Sequence, residues 1–491
     1  MNNNKLKLAV AGAILAFGSH AANAGIIIPA GDWTVDLSGN MNTFYSNTDF
    51  SGSFATNEIT GGSVSTNTMT QSFTLSLTGN AGSIAGSLIT ASTNITSATG
   101  TTKSLTARAG GSPLTKNANQ ISTGLLPSAI GIGARTRQND LDVAIQTTFF
   151  VGANSSSAGS GAYGASGAGG NSLNIRQAFL SFGDKSWGTI KMGRDLGTFG
   201  SDAILSDMTL LGVGTGAGGA GNSTLGRIGS GYLYADWVGQ IQYQSPNFNG
   251  FQVQGAIREP WANAANSELG YEGKATFDFS ANDVSGRIWV GGIQQEVSTA
   301  ASAAVAASTT TSTTLGAIGN LSYVTVTTVK DAQAAVNSVK KDARAVDIGA
   351  KISFAGLGLV GYYYDGQNIG SAGVASNTPL SGLFLGDSGS ADRDVKGGYV
   401  QATYKLPVGT TVGASWGISK IDQTAADRTA YTAALTGNYE NESWIVGAYH
   451  PITKHLNLVG EYTNTEYQNV SNFKGYDGKA KTFALGAILF F

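Results

Sequence analysis

Cysteine is absent from all 491 residues. No disulfide staples the fold, so hydrogen-bonded backbone and packed side chains have to hold it. Histidine is nearly as scarce, at three residues, and His20 lies in the leading 24. The other two, His450 and His455, flank a turn signal and read as turn residues rather than metal ligands. Proline numbers only eight, which leaves long stretches free of the residue that interrupts strands. After residue 24 no apolar run approaches the roughly 20 residues that a membrane-crossing helix requires. Surplus positive charge is missing too. Without Lys5 and Lys7, 27 basic residues face 31 acidic ones, a formal charge of about −4 that argues against a nucleic-acid partner. The glycine runs match no phosphate-binding loop and no catalytic set stands out. The sequence therefore predicts no enzyme, no cofactor and no metal.

What is present begins with a targeting segment. Lys5 and Lys7 precede the apolar run from Leu8 to Phe17, and Ala22-Asn23-Ala24 supplies small residues for cleavage, so residues 1–24 read as a secretory signal peptide. The mature chain, 25–491, is expected to form a single unit. Its 69 glycines are about twice the usual share, and its aromatic and β-branched residues fall in short alternating segments, the sequence form of an all-β chain.

The stretch Ile175 to Leu211 organises the rest. Two runs, Ile175 to Phe182 and Gly188 to Arg194, are joined by Gly183 to Trp187 and predict a hairpin. From Asp195 to about Trp237 the alternation stops. The segment carries acids, an apolar piece suited to a short helix over Ser201 to Leu211, and a glycine-dense run. A long connection of this kind is usually functional, and in a closed barrel it is the candidate to fold inward.

Elsewhere the two-residue period recurs. Val35, Leu37, Gly39 and Met41 oppose Asp36, Ser38, Asn40 and Asn42. Around the turn Gln138-Asn139-Asp140, Arg135 and Arg137 share a face. Ile241 and Tyr243 oppose Gln240, Gln242 and Gln244. Short turns alternate with long polar connections, as in an outer-membrane barrel. A soluble sandwich also alternates, so the period alone leaves both architectures open. Trp187, Trp289, Trp416 and Trp444, with Tyr362 to Tyr364, are candidates for an interfacial girdle. Ser/Thr-rich tracts at about 51–125 and 297–341 read as loop insertions. The final segment, KTFALGAILFF, puts Phe483, Leu485, Ala487, Leu489 and Phe491 on one face and needs a neighbouring strand.

With IRQAFLSFGDKSWGTIKMGRD, IQYQSPNFNGF, YHPITKHLNLVGEYTN and the terminal GAILFF, the sequence resembles the Gram-negative trimeric porins. The resemblance implies an antiparallel transmembrane barrel of about 16 strands, though 18 would also fit. It implies short periplasmic turns, long extracellular loops and one loop folded inside. It implies the outer membrane as location, a homotrimer, and contact with outer-membrane lipid and lipopolysaccharide. Gly486, Leu489 and Phe491 match the signal read by the barrel-assembly machinery, with Ala484 where a polar residue is usual. The implied function is passive diffusion of small hydrophilic solutes and ions. Arg194 and Arg176 match family wall positions, Arg135 and Arg137 are their companions, and Asp195, Asp202 and Asp207 are the facing acids of a constriction. Two other readings stay open: a porin selective for sugars or carboxylates, and a surface β-protein such as an adhesin.

Overall fold

The computed structural model describes residues 25–52, 71–72, 94–95, 117–153, 173–216, 223–260, 268–298, 308–314, 324–330, 340–369, 392–422, 439–469 and 478–491. The expected signal peptide, 1–24, lies outside them. In chain order the strands are β1 (Ile26–Ala30), β2 (Trp33–Gly52), β3 (Gln71–Ser72), β4 (Asn94–Ile95), β5 (Asn117–Ser122), β6 (Ser128–Gln138) and β7 (Leu141–Val151). There follow β8 (Asn174–Asp184), β9 (Gly188–Leu196), β10 (Trp237–Gln244), β11 (Phe251–Arg258), β12 (Gly270–Ala281), β13 (Val284–Ser298), β14 (Ser308–Thr314) and β15 (Val324–Lys330). The last are β16 (Lys340–Phe354), β17 (Leu357–Gln367), β18 (Asp394–Lys405), β19 (Thr411–Ile421), β20 (Tyr439–Pro451), β21 (Leu456–Asn469) and β22 (Gly478–Phe490).

The chain divides into two compact units. The smaller, 60–106 with 300–339, draws on the two tracts set apart above as insertions. Its described part is two antiparallel pairs, β3 with β4 and β14 with β15.

The larger unit is a closed antiparallel barrel. Eighteen strand segments join one sheet, yet they fill 16 wall positions, because two positions are shared. Along one edge of β2, β22 pairs with Asn40 to Gly52 and β1 with Trp33 to Leu37. Along its other edge, β5 pairs with Phe44 to Asp49 and β6 with Thr34 to Asn40. The final residue completes the ring: Gly39 N donates to Phe491 O at 2.9 Å and Phe491 N to Gly39 O at 3.1 Å. No sheet edge is left open at the junction between first and last strands.

Tight turns gather at one end of the barrel and long connections at the other. Asn139 and Asp140 both hold positive φ, as do Asn282 and the Ala355-Gly356 pair, the left-handed backbone that two-residue hairpins require.

The period of two sorts side chains by solvent. Met41, Tyr45, Val346, Ile348, Val400, Leu458, Phe483 and Leu485 are exposed on the outer face. Between them Asn40, Asn42, Ser415, Ser419, Thr463 and Thr482 point inward and are buried. A wall in hydrocarbon needs this distribution, the reverse of a soluble protein's. On the outer face Trp416 Nε1 donates to Glu442 at 2.6 Å, and Trp444 lies 5.4 Å from Tyr462, ring to ring. Near the turn end Tyr243 donates to Trp187 O at 2.7 Å. The girdle assignment needs correcting for three residues. Trp289, Tyr362 and Tyr364 are almost fully buried and point inward, because the register pairs Trp289 with inward Thr276 and leaves only Tyr363 of its trio outside.

Leu485 lies near mid-height on the outer face. Leu485→Arg is expected to lower stability by about 2–4 kcal/mol, read from denaturant unfolding of the protein refolded in lipid vesicles. An unchanged midpoint would mean that this face meets water.

Candidate functional site

Among its described residues the connection 197–236 between β9 and β10 holds no full strand: Gly197 N donates to Asp236 O at 2.9 Å at its base, and isolated bridges join Gly214 and Thr215 to Gly226 and Ile228 to Tyr232. Its apolar piece forms α1 (Ser201–Ser206) and a 3-10 turn, Met208–Leu211. Asp207 separates them by capping the second, accepting from Thr209 N at 3.0 Å and Thr209 Oγ1 at 2.7 Å. The expected single helix is thus broken in two. Phe199, Ala203, Ile204, Met208, Leu210, Val213, Leu225 and Leu233 are buried with inward Trp289, Tyr362 and Tyr399. The described residues of the segment lie inside the barrel.

Wall side chains supply the hydrogen bonds that its backbone cannot make to itself. Glu272 on β12 accepts Thr198 N at 2.5 Å and Phe199 N at 3.3 Å. Asp347 on β16 accepts Gly200 N at 3.1 Å. Gln401 on β18 accepts Met208 N at 2.8 Å and donates to Ser206 O at 3.0 Å, while Tyr399 donates to Ala203 O at 2.8 Å. Glu461 on β21 accepts Val213 N and Gly214 N, each at 2.7 Å, and the Tyr449 hydroxyl at 2.6 Å. Gly212 is required beside it, because a Cβ there would sit 2.0 Å from Glu461 Oε1. On the return path the fully buried Arg227 donates to Ser415 Oγ at 2.6 Å and Ser443 Oγ at 3.0 Å. Each amide left unpaired in such a place would cost about 1–3 kcal/mol.

These contacts run from β12 to β21; none is to β6, β7 or β8. The inner loop is therefore seated on the β12–β21 side. It is tied to the break between β5 and β6, where Leu125 N donates to Gly212 O and Thr224 N to Gly124 O, and it faces the rest of the wall across the lumen. On the facing side Arg135 and Asp36 form a loose, half-exposed pair at 3.8 Å.

The predicted constriction residues separate into groups. Asp195 faces inward, paired with Lys191 and accepting Gln177 Nε2 at 2.8 Å. Alternation then sends its neighbour Arg194 to the outer side, in register with Gly239. A register shift between Thr148 and Phe149 turns both Arg176 and Gln177 inward. Arg176 is buried there, its guanidinium 4.7 Å from the Phe150 ring centre. Arg137 sits at the turn end with Asp142 at 2.9 Å and Asp184 at 2.8 Å. Asp202, in the first turn of α1, reaches Lys274 at 2.5 Å and Arg287 at 3.0 Å. Asp207 is buried and also accepts the Tyr232 hydroxyl at 2.7 Å. The loop acids and the predicted arginines thus do not meet. Of the terminal triad, Gly486 lies against Thr43 O and the Phe44 ring, Leu489 is on the outer face and Phe491 closes the ring.

Sequence reasoning missed Glu272, Lys274, Arg287, Asp347 and Glu461, which do the holding. The signal was available: Glu272, Lys274, Thr276 and Asp278 occupy alternate positions of one strand, so one face of it is polar throughout.

Burial opposes the charged form of Asp202, but the charges of Lys274 and Arg287 outweigh it and hold the carboxyl below its ordinary pKa. A carboxylate with a lowered folded pKa stabilises fully above about pH 4 and loses that contribution as pH falls through the lowered value. At neutral pH Asp202→Asn should cost about 3–5 kcal/mol, since Lys274 is left buried and uncompensated. Denaturant midpoints of the two proteins should converge as the pH is taken well below 4; a gap independent of pH would show that the pair does not hold the loop.

A family model described as "Gram-negative porin" matches residues 9–487. No curated protein matches in sequence. Among solved structures, the outer membrane channel DcaP of Acinetobacter baumannii aligns with a TM-score of 0.54 at 14% identity, covering 95% of this chain and 100% of that one. An anion-selective porin from Comamonas acidovorans aligns with a TM-score of 0.50 at 14% identity, covering 94% and 100%.

Proposed function

The chain belongs to the Gram-negative porin family, and from that premise we propose that the inner loop and the facing wall of β6–β9 frame one narrow water path through each barrel. The protein is an outer-membrane channel through which small hydrophilic solutes and ions diffuse passively. The observation that carries the constriction is the seating of 197–236 on wall carboxylates Glu272, Asp347 and Glu461 inside the lumen. A sieve needs no reacting group, only a fixed aperture and charges near it, so the protein acts as a channel and not as a catalyst.

General diffusion is favoured over a sugar-selective path. The inward aromatics Trp289, Tyr362, Tyr364 and Tyr399 are buried together around the inner loop, where no solute could slide along them. The assembly is a homotrimer, inserted by the barrel-assembly machinery through the strand ending at Phe491 and bordered by lipid and lipopolysaccharide. Residues 1–24 are removed on export, and the loop insertions are narrower than the sequence bounds of about 51–125 and 297–341, since β5 and the ends of β2, β13 and β16 within those tracts belong to the barrel wall.

Protein purified from outer membranes should run as a heat-resistant trimer on gels and add conductance to planar bilayers in steps of three equal levels. A water-soluble monomer that never conducts would defeat this reading.

A further inference from the structure

We propose that Lys351 sets the charge preference of the lumen, drawing small anions along the side of the barrel formed by β12, β13 and β16. Lys351 lies on β16, on the same face as Asp347, which reaches Gly200 N of the inner loop. Ile352, its neighbour, is exposed on the outer face. The Lys351 side chain is therefore directed inward, and the residue is exposed there. It sits between the inner loop and the turn at Ala355-Gly356, in the half of the lumen that opens toward the short turns.

Its neighbours are already committed. Lys351 is in register with Arg287 on β13, and Arg287 with Asp278 on β12. Arg287 donates to Asp278 at 2.6 and 2.8 Å and to Asp202 at 3.0 Å. Lys274 takes the other oxygen of Asp202. Three cations thus face the carboxylates of Asp202 and Asp278, while Asp347, farther along the same face, is bonded to Gly200 N and the Tyr362 hydroxyl. Among the described residues Lys351 is the one of the three with no ion pair or hydrogen bond.

Across the lumen the inward cations are matched by carboxylates, except Arg176, which is buried against the Phe150 ring. Arg135 is matched by Asp36, and Lys191 by Asp195. At the turn end the single guanidinium of Arg137 lies within ion-pair distance of Asp140, Asp142 and Asp184. Among the described inward residues of the two sides, the exposed cation without a carboxylate partner is accordingly Lys351, on the inner-loop side. The sequence had suggested the reverse, with arginines on the facing wall and acids on the loop. A permeating ion in a narrow lumen passes within the roughly 8 Å over which such a charge acts in physiological salt.

This inference rests on the channel reading, and the experiment separates the two. Reversal potentials would be recorded in planar bilayers across a potassium chloride gradient for the wild-type protein, Lys351→Gln, Lys351→Glu and, as a control on an exposed turn, Lys454→Gln. A unit charge passed at about 6 Å in water, acting oppositely on the two ions and screened over about 8 Å, predicts a fall in the chloride-to-potassium permeability ratio of about threefold for Lys351→Gln and about tenfold for Lys351→Glu. Lys454→Gln should leave the ratio unchanged. Conducting channels whose ratio ignores Lys351→Glu, or moves equally with Lys454→Gln, would overturn the assignment alone. A wild-type protein that passes no current would overturn the channel reading itself.

Discussion

Hydrocarbon offers no partner to a peptide group, so a strand-built wall in a membrane must close. In this barrel the closing element is β2, whose 20 residues take partners from four strand segments. One edge receives β22 and then β1 in line with it; the other receives β5 and then β6. A shorter first strand would leave a gap on one side or the other. The break between β5 and β6 shows how strictly the constraint is met. Gly124 N is taken by Asn42 Oδ1, Leu126 O by Asn42 Nδ2, Pro127 O by Asn40 Nδ2 and Asn42 N by Ser128 Oγ. Side chains replace the ladder for the residues where the ladder lapses.

The same substitution lets an irregular segment exist at membrane depth. The inner loop has little ladder of its own, and lipid-facing backbone of that kind would be unsatisfied. Inside the barrel, carboxylates, hydroxyls and amides of β12 to β21 serve as acceptors and donors in place of a neighbouring strand. The lapse in the wall and the loop are joined directly, since Leu125 N donates to Gly212 O at 2.9 Å. Apolar residues of the loop then pack on inward aromatics, so polar bonds fix its position and burial of Phe199, Ile204, Met208 and Leu233 fixes its depth. A constriction seated this way holds one aperture.

Much of this was legible from residue order. The hairpin Ile175–Arg194, the alternation at Gln240–Gln244, the inward position of 197–236 and the need of the last strand for a partner all follow from period and turn chemistry. The count of 16 against 18 was not legible, because it depends on β1 and β5 sharing wall positions, which is a matter of register over residues far apart in sequence. Arg194 was misplaced for a related reason. Motif likeness names a position, but only the alternation counted from Asp195 says which side of the wall it faces. The β8 bulge works the other way, turning two consecutive residues inward where strict alternation would admit one.

The acids of the inner loop illustrate a competition between holding and sorting. Asp202 is surrounded by Lys274 and Arg287, and Asp207 by Thr209 and Tyr232. Both are buried, with their oxygens occupied. A carboxylate met by cations at contact distance, as Asp202 is, projects little field beyond its partners, because the pair acts on a passing ion as a dipole rather than as a net charge. Asp207 is spent on neutral donors deep in the packing. The more firmly charged groups seat the loop, the less they can act on solutes. Charge sorting must then fall to groups that the loop does not need, and in this barrel those lie on wall strands, nearer the turns than the helix that narrows the path.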